Sequence, residues 1–158
     1  MIRPKPTLAA QTALRPILMV ICLVLTVTVH AESALDLNAF QGRVVYLDFW
    51  ASWCAPCRQS FPWMQEMKDA YEARGLTVVA VDLDTDRSEA DRFLAKYHPN
   101  FDVRFDPQGT IATHFKVQGM PTCELIDRHG VVRFTHIGFL PVDRTAYENQ
   151  LRVLLAEK

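Results

Sequence analysis

The sequence lacks several features that would assign it to common functional classes. Its 158 residues carry 17 basic and 18 acidic side chains, so it has none of the basic excess that is typical of nucleic-acid-binding domains. It contains no glycine-rich phosphate-binding loop and no internal repeat. The hydrophobic content of 49% and charged content of 22% are ordinary for a globular chain. The length predicts one domain, without room for a separate cofactor domain.

The sequence also lacks the ~20 consecutive apolar residues that a transmembrane helix needs. Its longest apolar run, 17–29, follows a basic stretch without acidic residues. The run ends at Val29, and in the tripeptide Val29-His30-Ala31 the small residues Val29 and Ala31 fit a signal-peptidase site. Residues 1–31 are therefore predicted to be a secretory signal peptide, with an uncleaved membrane anchor at 17–29 as the alternative. Residues 32–158 are predicted to form the mature domain.

Cysteine is scarce in the predicted mature domain, which contains only Cys54, Cys57 and Cys123. An odd number of cysteines cannot form a framework of paired disulfides. A structural zinc site would need two more ligands beside Cys54 and Cys57, and no second paired motif is present. Redox chemistry is the interpretation that best fits the closely spaced pair.

The hydrophobic pattern predicts an α/β domain. A strand–helix–strand order at its start indicates parallel strands, and a hairpin near its end adds an antiparallel pair, so we expect a mixed central sheet flanked by helices. The predicted elements are strands at 44–50 and 77–81, helices at 56–74, 88–96, 111–115 and 143–155, and a hairpin formed by 122–127 and 131–135.

Local signals predict how several of these elements begin and end. Gly75 is expected to end the first helix. Ser88 is expected to cap the second, with Asp91 in the capping-box position. Residues 82–86 begin like a calcium-binding loop, but they lack its later glycine and glutamate. They are therefore predicted to form a solvated loop after a strand.

The most informative motif is Trp53-Cys54-Ala55-Pro56-Cys57, placed between the first predicted strand and the first helix. Unpaired amides and the dipole at a helix N-terminus stabilise a thiolate, which predicts a lowered pKa and a nucleophilic role for Cys54. Cys57 lies one turn into the helix and suits the resolving role. Pro56 near the first turn loses no hydrogen bond and fixes the backbone between the two sulfurs.

Two further residues allow more than one interpretation. Asp48 lies in the first apolar strand and is either a strand-end carboxylate turned to solvent or a partly buried acid that accepts the proton of Cys57. Cys123 follows Pro121 by two residues, so strand alternation places both side chains on one sheet face. It is either a small buried hydrophobic residue or a third sulfur that enables Cu(I) binding with the other two cysteines.

The segment YLDFWASWCAPCRQSFP resembles the active-site segment of the thioredoxin superfamily. The later stretch FDPQGTIATHFKVQGMPTCELIDRHGVV is similar to the TlpA/ResA/CcmG branch of secreted thiol–disulfide oxidoreductases. The resemblance implies a thioredoxin fold, a cis Pro121 opposite the two cysteines, and Cys54 as nucleophile. It places partner contacts around Trp53 and Pro56 and in the loop of Met120, Pro121 and Thr122.

The same resemblance implies a periplasmic reductant of protein disulfides, with cytochrome c maturation as a common setting for the branch. It implies electrons from an inner-membrane donor of the DsbD or CcdA type and no cofactor beyond the Cys54–Cys57 disulfide. The near-neutral charge predicts no nucleic-acid partner, and the sequence has no exposed interface pattern, which predicts a monomer. The GVxGxPE-type segment of the cytochrome-maturation members is absent, because residues 116–122 read KVQGMPT. A copper-handling protein that uses Cys54, Cys57 and Cys123 as ligands is the alternative hypothesis.

Overall fold

A computed structural model describes residues 35–157. The predicted signal peptide at 1–31, with its alternative as an anchor, lies outside the described residues. Within 35–157, no helix has both the length and the apolar character needed to cross a membrane.

Five strands form one mixed sheet in the order β3-β2-β1-β4-β5. β1 is parallel to β2, and β2 is parallel to β3, whereas β4 is antiparallel to both β1 and β5. The sheet confirms the predicted mixed architecture. The strands are β1 Val44–Trp50, β2 Leu76–Asp82, β3 Asp102–Phe105, β4 Thr122–Ile126 and β5 Val132–Ile137.

β1 is the central strand, and all seven of its residues are buried. A strand covered on both faces needs an uninterrupted apolar sequence, which explains why the run was recognisable in the chain. Alternate side chains of β1 pack into two hydrophobic cores on opposite faces of the sheet. Tyr46 and Trp50 belong to one core, and Val45, Leu47 and Phe49 belong to the other.

Within the described residues, four α-helices cover the two faces of the sheet. Buried residues of α1, α2 and α4 pack in the core of Tyr46 and Trp50, whereas Ile111 of α3 packs in the opposite core. The helices are α1 Cys57–Tyr71, α2 Arg87–Tyr97, α3 Thr110–His114 and α4 Arg144–Ala156.

α1 carries the motif cysteines and sets their surroundings. It contains Pro62 in its interior and continues through a 3₁₀ turn, Glu72–Arg74, to Gly75. Gly75 has a φ of 99°, a left-handed conformation that glycine adopts without a Cβ clash, so the predicted C-terminal glycine is confirmed.

Two sequence predictions about the elements are wrong. α2 is capped by Asp86, whose carboxylate accepts from the Ser88 amide at 2.9 Å, and not by Ser88 itself. Asp91 forms an ion pair with Arg87 instead of a capping box. β3 was not predicted, because as a four-residue edge strand it has no buried apolar run. β1 has the predicted boundaries, and the boundaries of the other predicted elements differ from the observed ones by at most three residues.

Candidate active site

Cys54 and Cys57 are joined by a disulfide in the connection between β1 and α1. Their Cα atoms are 5.3 Å apart. The connection leaves the central strand at Ala51 and turns at once, with the Cys54 amide donating to the Ala51 carbonyl at 3.1 Å. The reactive pair is therefore held between two of the most buried elements of the fold.

The helix N-terminus polarises the site. The backbone amide of Cys57, the first residue of α1, lies 3.3 Å from the Cys54 sulfur and donates to it. Pro56 occupies the N-cap position, where a missing amide costs nothing. Together, the amide and the dipole of a 15-residue helix favour a negative charge on Cys54.

The two cysteines differ slightly in exposure. Cys54 keeps 4% of its surface exposed, whereas Cys57 is 0% exposed. The accessible cysteine is the one that the helix N-terminus activates. This difference agrees with an attacking role for Cys54 and a resolving role for Cys57.

The loop before β4 lies at the same end of the sheet as the cysteines. In the β1–β4 register, Thr122 is opposite Phe49, so the preceding Met120 and Pro121 lie where β1 ends. The Met120–Pro121 peptide bond is cis. Met120 is partly buried against the core that contains Cys54 and Cys57.

Hydrogen bonds hold this cis-proline loop. The Gly138 amide donates to the Pro121 carbonyl at 2.7 Å, which ties the loop to the end of β5. The Thr122 hydroxyl donates to the Gly119 carbonyl at 2.6 Å and is buried. Thr122 therefore stabilises the loop from inside and does not offer its side chain to a partner.

Trp53 lies on the outer side of the cysteines with 65% of its surface exposed, a large apolar side chain without cover. Trp53, Arg58 and Arg92 are among the residues that line a groove of ≈ 320 Å³. Pro56 is half-buried next to it. The predicted contact residues Trp53 and Pro56 are thus on the surface.

Asp48 is buried in the centre of β1, with 1% of its surface exposed. The alternative of a carboxylate turned to solvent is therefore wrong. Its Oδ2 atom has no hydrogen-bonding partner in the described part of the chain. Burial raises the pKa of the Asp48 carboxyl well above its ordinary value, because the charged form has lost its hydration.

Cys123 is a free, buried thiol opposite Asp48 in the β1–β4 register. It interacts with the hydroxyl of Tyr46, which is likewise fully buried. Burial, followed by the nearby Asp48 carboxyl, raises the pKa of the Cys123 thiol well above its ordinary value. The structure bears out the prediction of a small buried residue.

The copper-binding alternative receives no support. Among residues 35–157, no group of three histidine, cysteine or acidic side chains is placed to hold a metal ion. Two of the three supposed ligands, Cys54 and Cys57, are bonded to each other.

Sequence reasoning missed two polar features near the site. Tyr46 lies two residues before Asp48 and contacts Cys123, but a tyrosine in an apolar strand gives no distinctive signal. The expectation that 82–86 form a solvated loop is also wrong, because Asp82 and Asp84 are buried. Their position at the end of a buried strand was the available signal, since functional side chains in α/β sheets concentrate there.

Comparison with known proteins decides the family. The family model described as Redoxin matches residues 24–151, most of the chain. The chain belongs to the Redoxin family. This redoxin is 34% identical over 113 residues to the thiol-disulfide oxidoreductase ResA of Oceanobacillus iheyensis. The match covers 72% of the chain and 59% of that relative, so the chain spans little more than half of the relative's length.

Solved structures place the redoxin in the thioredoxin fold. A crystal structure from Chlorobium tepidum, provisionally assigned as a thiol:disulfide interchange protein DsbE, is 52% identical with a TM-score of 0.75, over 76% of this chain and 85% of that one. A solution structure from Neisseria meningitidis, provisionally assigned as a thioredoxin, is 23% identical with a TM-score of 0.63, over 72% and 76%. The predicted thioredoxin fold and the resemblance to the ResA-like branch are confirmed.

Proposed function

We propose that the protein is a thiol–disulfide oxidoreductase that reduces protein disulfides through Cys54 and Cys57. The observation that carries the proposal is the cysteine pair at the N-terminus of α1, with Cys54 slightly exposed and Cys57 fully buried, at the same end of the sheet as the loop of Pro121. The names of the ResA and DsbE relatives support it.

The exchange begins with the reduced dithiol. The Cys54 thiolate attacks one sulfur of a client disulfide, so that a Cys54–client bond forms, the client S–S bond breaks, and one client thiolate leaves. Cys57 then loses its proton and attacks the Cys54 sulfur. The second client sulfur leaves as a thiolate and takes up a proton. Two electrons pass to the client, and the Cys54–Cys57 disulfide is formed.

Asp48 is proposed to accept the proton of Cys57. The thiol of Cys57 is fully buried, and water cannot readily take its proton there. A carboxylate whose pKa has been raised by burial is a stronger base than an exposed one, which brings its proton affinity closer to that of a thiol. The raised pKa of Asp48 therefore makes its carboxylate a suitable acceptor for the proton of Cys57.

Replacing Asp48 by Asn is expected to slow the second step by about 100-fold at pH 7, the lower end of what a positioned base contributes. The first step, the attack by Cys54, should change little. The measurement is stopped-flow reaction with a chromogenic disulfide, in which formation and release of the mixed disulfide are separate phases. Equal slowing of both phases would show that Asp48 acts elsewhere in the exchange.

The Asp48→Asn variant should remain folded, which keeps the kinetic comparison valid. An acid whose folded pKa lies above its unfolded pKa destabilises the protein as the pH rises through that interval. Removing the charge is therefore expected to stabilise the protein at neutral pH, as urea denaturation of parent and variant would show.

The proposed direction is reduction, in the periplasm, after export by the signal peptide predicted at 1–31. A reductant outside the cytoplasm needs an electron supply, and a membrane donor of the DsbD or CcdA type is proposed for it. The proposed clients are protein disulfides, including the oxidised CxxCH motif of c-type cytochromes. The protein is proposed to act as a monomer, without further cofactor.

The reduction potential of the Cys54–Cys57 pair tests the direction. Equilibration with dithiothreitol or glutathione buffers is expected to give a value near or below ~−270 mV, as for thioredoxin. A value near ~−120 mV would instead identify an oxidant. Reduction of insulin with dithiothreitol as donor tests the activity itself, and a rate equal to that of dithiothreitol alone would refute it. An oxidised CxxCH peptide, compared with insulin, tests the cytochrome setting.

A further inference from the structure

A pair of buried acids lies at and just after the end of β2, the strand next to β1, and borders residues 51–56, the redox loop that connects β1 to α1. Asp82 is the last residue of β2 and is opposite Trp50, the last residue of β1. It is 0% exposed, and within residues 35–157 neither of its carboxyl oxygens has a hydrogen-bonding partner of ordinary geometry. Asp84, two residues later, is also buried.

Asp84 is bound directly to the loop that carries the nucleophile. Its Oδ2 accepts from the Ser52 backbone amide at 2.7 Å, and its Oδ1 accepts from the Ser52 hydroxyl at 3.0 Å. Ser52 precedes Cys54 by two residues. The Leu83 amide adds a third bond across the same gap, donating to the Trp50 carbonyl at 2.9 Å. These three hydrogen bonds therefore fix the start of the redox loop against the segment that follows β2.

Two adjoining carboxyls out of contact with water cannot both be ionised at low cost. Burial first, and then the Asp84 carboxyl, raise the pKa of Asp82 to about 8. The Asp84 carboxyl accepts two hydrogen bonds from Ser52, whereas the Asp82 carboxyl accepts none in the described part of the chain. The proton of the pair therefore resides on Asp82 at neutral pH.

Other charged groups leave this assignment unchanged. Arg87 faces the pair from the start of α2 and lowers the pKa of Asp82, but less than burial raises it. The Asp106 carboxylate accepts hydrogen bonds from two backbone amides of α3. Arg58 donates to the Ser52 carbonyl at 3.4 Å and so reinforces the same loop. The charged groups on the surrounding elements also include Asp48 of β1, Asp86 at the N-cap of α2, and Glu89 and Arg92, which line a groove together with Ser52.

We propose that Asp84 is a positioning residue that fixes Cys54 through Ser52, and that the buried carboxyl of Asp82, at the end of β2, holds a proton beside the redox pair. The proposal rests on the proposed function, in which Cys54 is the nucleophile. With one proton on the pair, a single negative charge lies beneath the loop. Loss of that proton adds a second, buried charge that opposes a thiolate on Cys54.

The test of positioning uses the reduced protein and iodoacetamide, and no client. Asp84→Ala removes both acceptors of Ser52 and also one negative charge. Loss of the support for the loop is expected to outweigh the relief of charge and to lower the rate of Cys54 alkylation at pH 6 by about threefold, equivalent to half a pH unit in the thiolate titration. Ser52→Ala removes only the hydroxyl donor and should have a smaller effect in the same direction. Glu66→Gln removes one negative charge from an exposed position of α1 and serves as the control.

An alkylation rate for Asp84→Ala and Ser52→Ala equal to that of Glu66→Gln would overturn the positioning role. If Asp84→Ala fails to fold, Asp84→Asn, which keeps one acceptor oxygen, provides the comparison together with Ser52→Ala. Because alkylation requires no partner, the result is independent of insulin reduction. A protein that fails to reduce insulin can still show the predicted pattern.

The test of the proton on Asp82 uses the oxidised protein. Carbon-13 NMR of the aspartate carboxyls is expected to show one group that titrates near pH 8, absent from Asp82→Asn and present in Glu66→Gln. The parent should also lose stability relative to Asp82→Asn as the pH rises from about 4 to about 8, because the folded state holds a proton that the unfolded chain releases. Absence of a carboxyl titration between pH 6.5 and 9.5 that is lost in Asp82→Asn would overturn the assignment of the proton to Asp82.

Discussion

The Cys57→Ser variant should accumulate a covalent complex with its clients. Cys54 can still attack a disulfide, because its sulfur is the accessible one and the amide at the start of α1 still stabilises its thiolate. The resolving thiol is gone, so the mixed disulfide cannot be released from within the protein. Non-reducing electrophoresis of periplasmic extracts, followed by mass spectrometry, would detect the complexes and identify the clients.

The matched variants separate the roles of the three cysteines. Cys54→Ser is expected to reduce insulin turnover to background and to trap nothing, because Cys57 is fully buried. Cys123→Ser should retain activity, since this thiol is buried in β4 and free of the disulfide. Trapping by Cys54→Ser equal to that by Cys57→Ser would reverse the proposed order of attack.

The largest effect on stability is expected at Phe61, one turn after Cys57 in α1. Its ring is fully buried and packs edge-on against Trp50, Phe93 and Phe101, with centroids at 4.7, 4.8 and 5.5 Å. Phe61→Ala should lower the free energy of unfolding by about 3–5 kcal/mol, through lost burial and a cavity between the helices and the sheet. Since small domains are stable by only ~5–15 kcal/mol, a partly unfolded protein is expected at 37 °C.

Urea denaturation of the oxidised protein would measure the change for Phe61→Ala. Val153→Ala provides the control, because Val153 lies on α4 with 54% of its surface exposed and should change stability by less than about 0.5 kcal/mol. A loss for Phe61→Ala no larger than that of the control would mean that the aromatic cluster repacks without it.

The elements that could be predicted from the sequence are those whose burial leaves a continuous signal. β1 was predicted with its observed boundaries because both of its faces are covered. β3 was missed because its burial alternates between exposed and half-exposed positions at the edge of the sheet. The N-cap of α2 was misplaced by two residues, since Asp86 and Ser88 are both good capping residues and only the backbone conformation decides between them.

The active-site cysteines could be predicted because their spacing and position before a helix have chemical meaning by themselves. The contribution of Asp82 and Asp84 could not, because a run of acids and a threonine after a strand has the composition of an exposed loop. Only the pairing of β2 with β1 shows that these side chains are buried next to Ser52. The sequence contains the residues, but the contact joins positions that are 32 residues apart.

The location of the cysteines at the exit of the central strand has a consequence for the speed of electron transfer to clients. β1 is hydrogen-bonded on both sides, so local opening there requires disruption of most of the sheet, and such segments are the last to exchange their amides. The scaffold on one side of the sulfurs therefore stays fixed while the disulfide forms and breaks. Rearrangement is confined to the few residues between β1 and α1, which keeps the reorganisation that accompanies each turnover small.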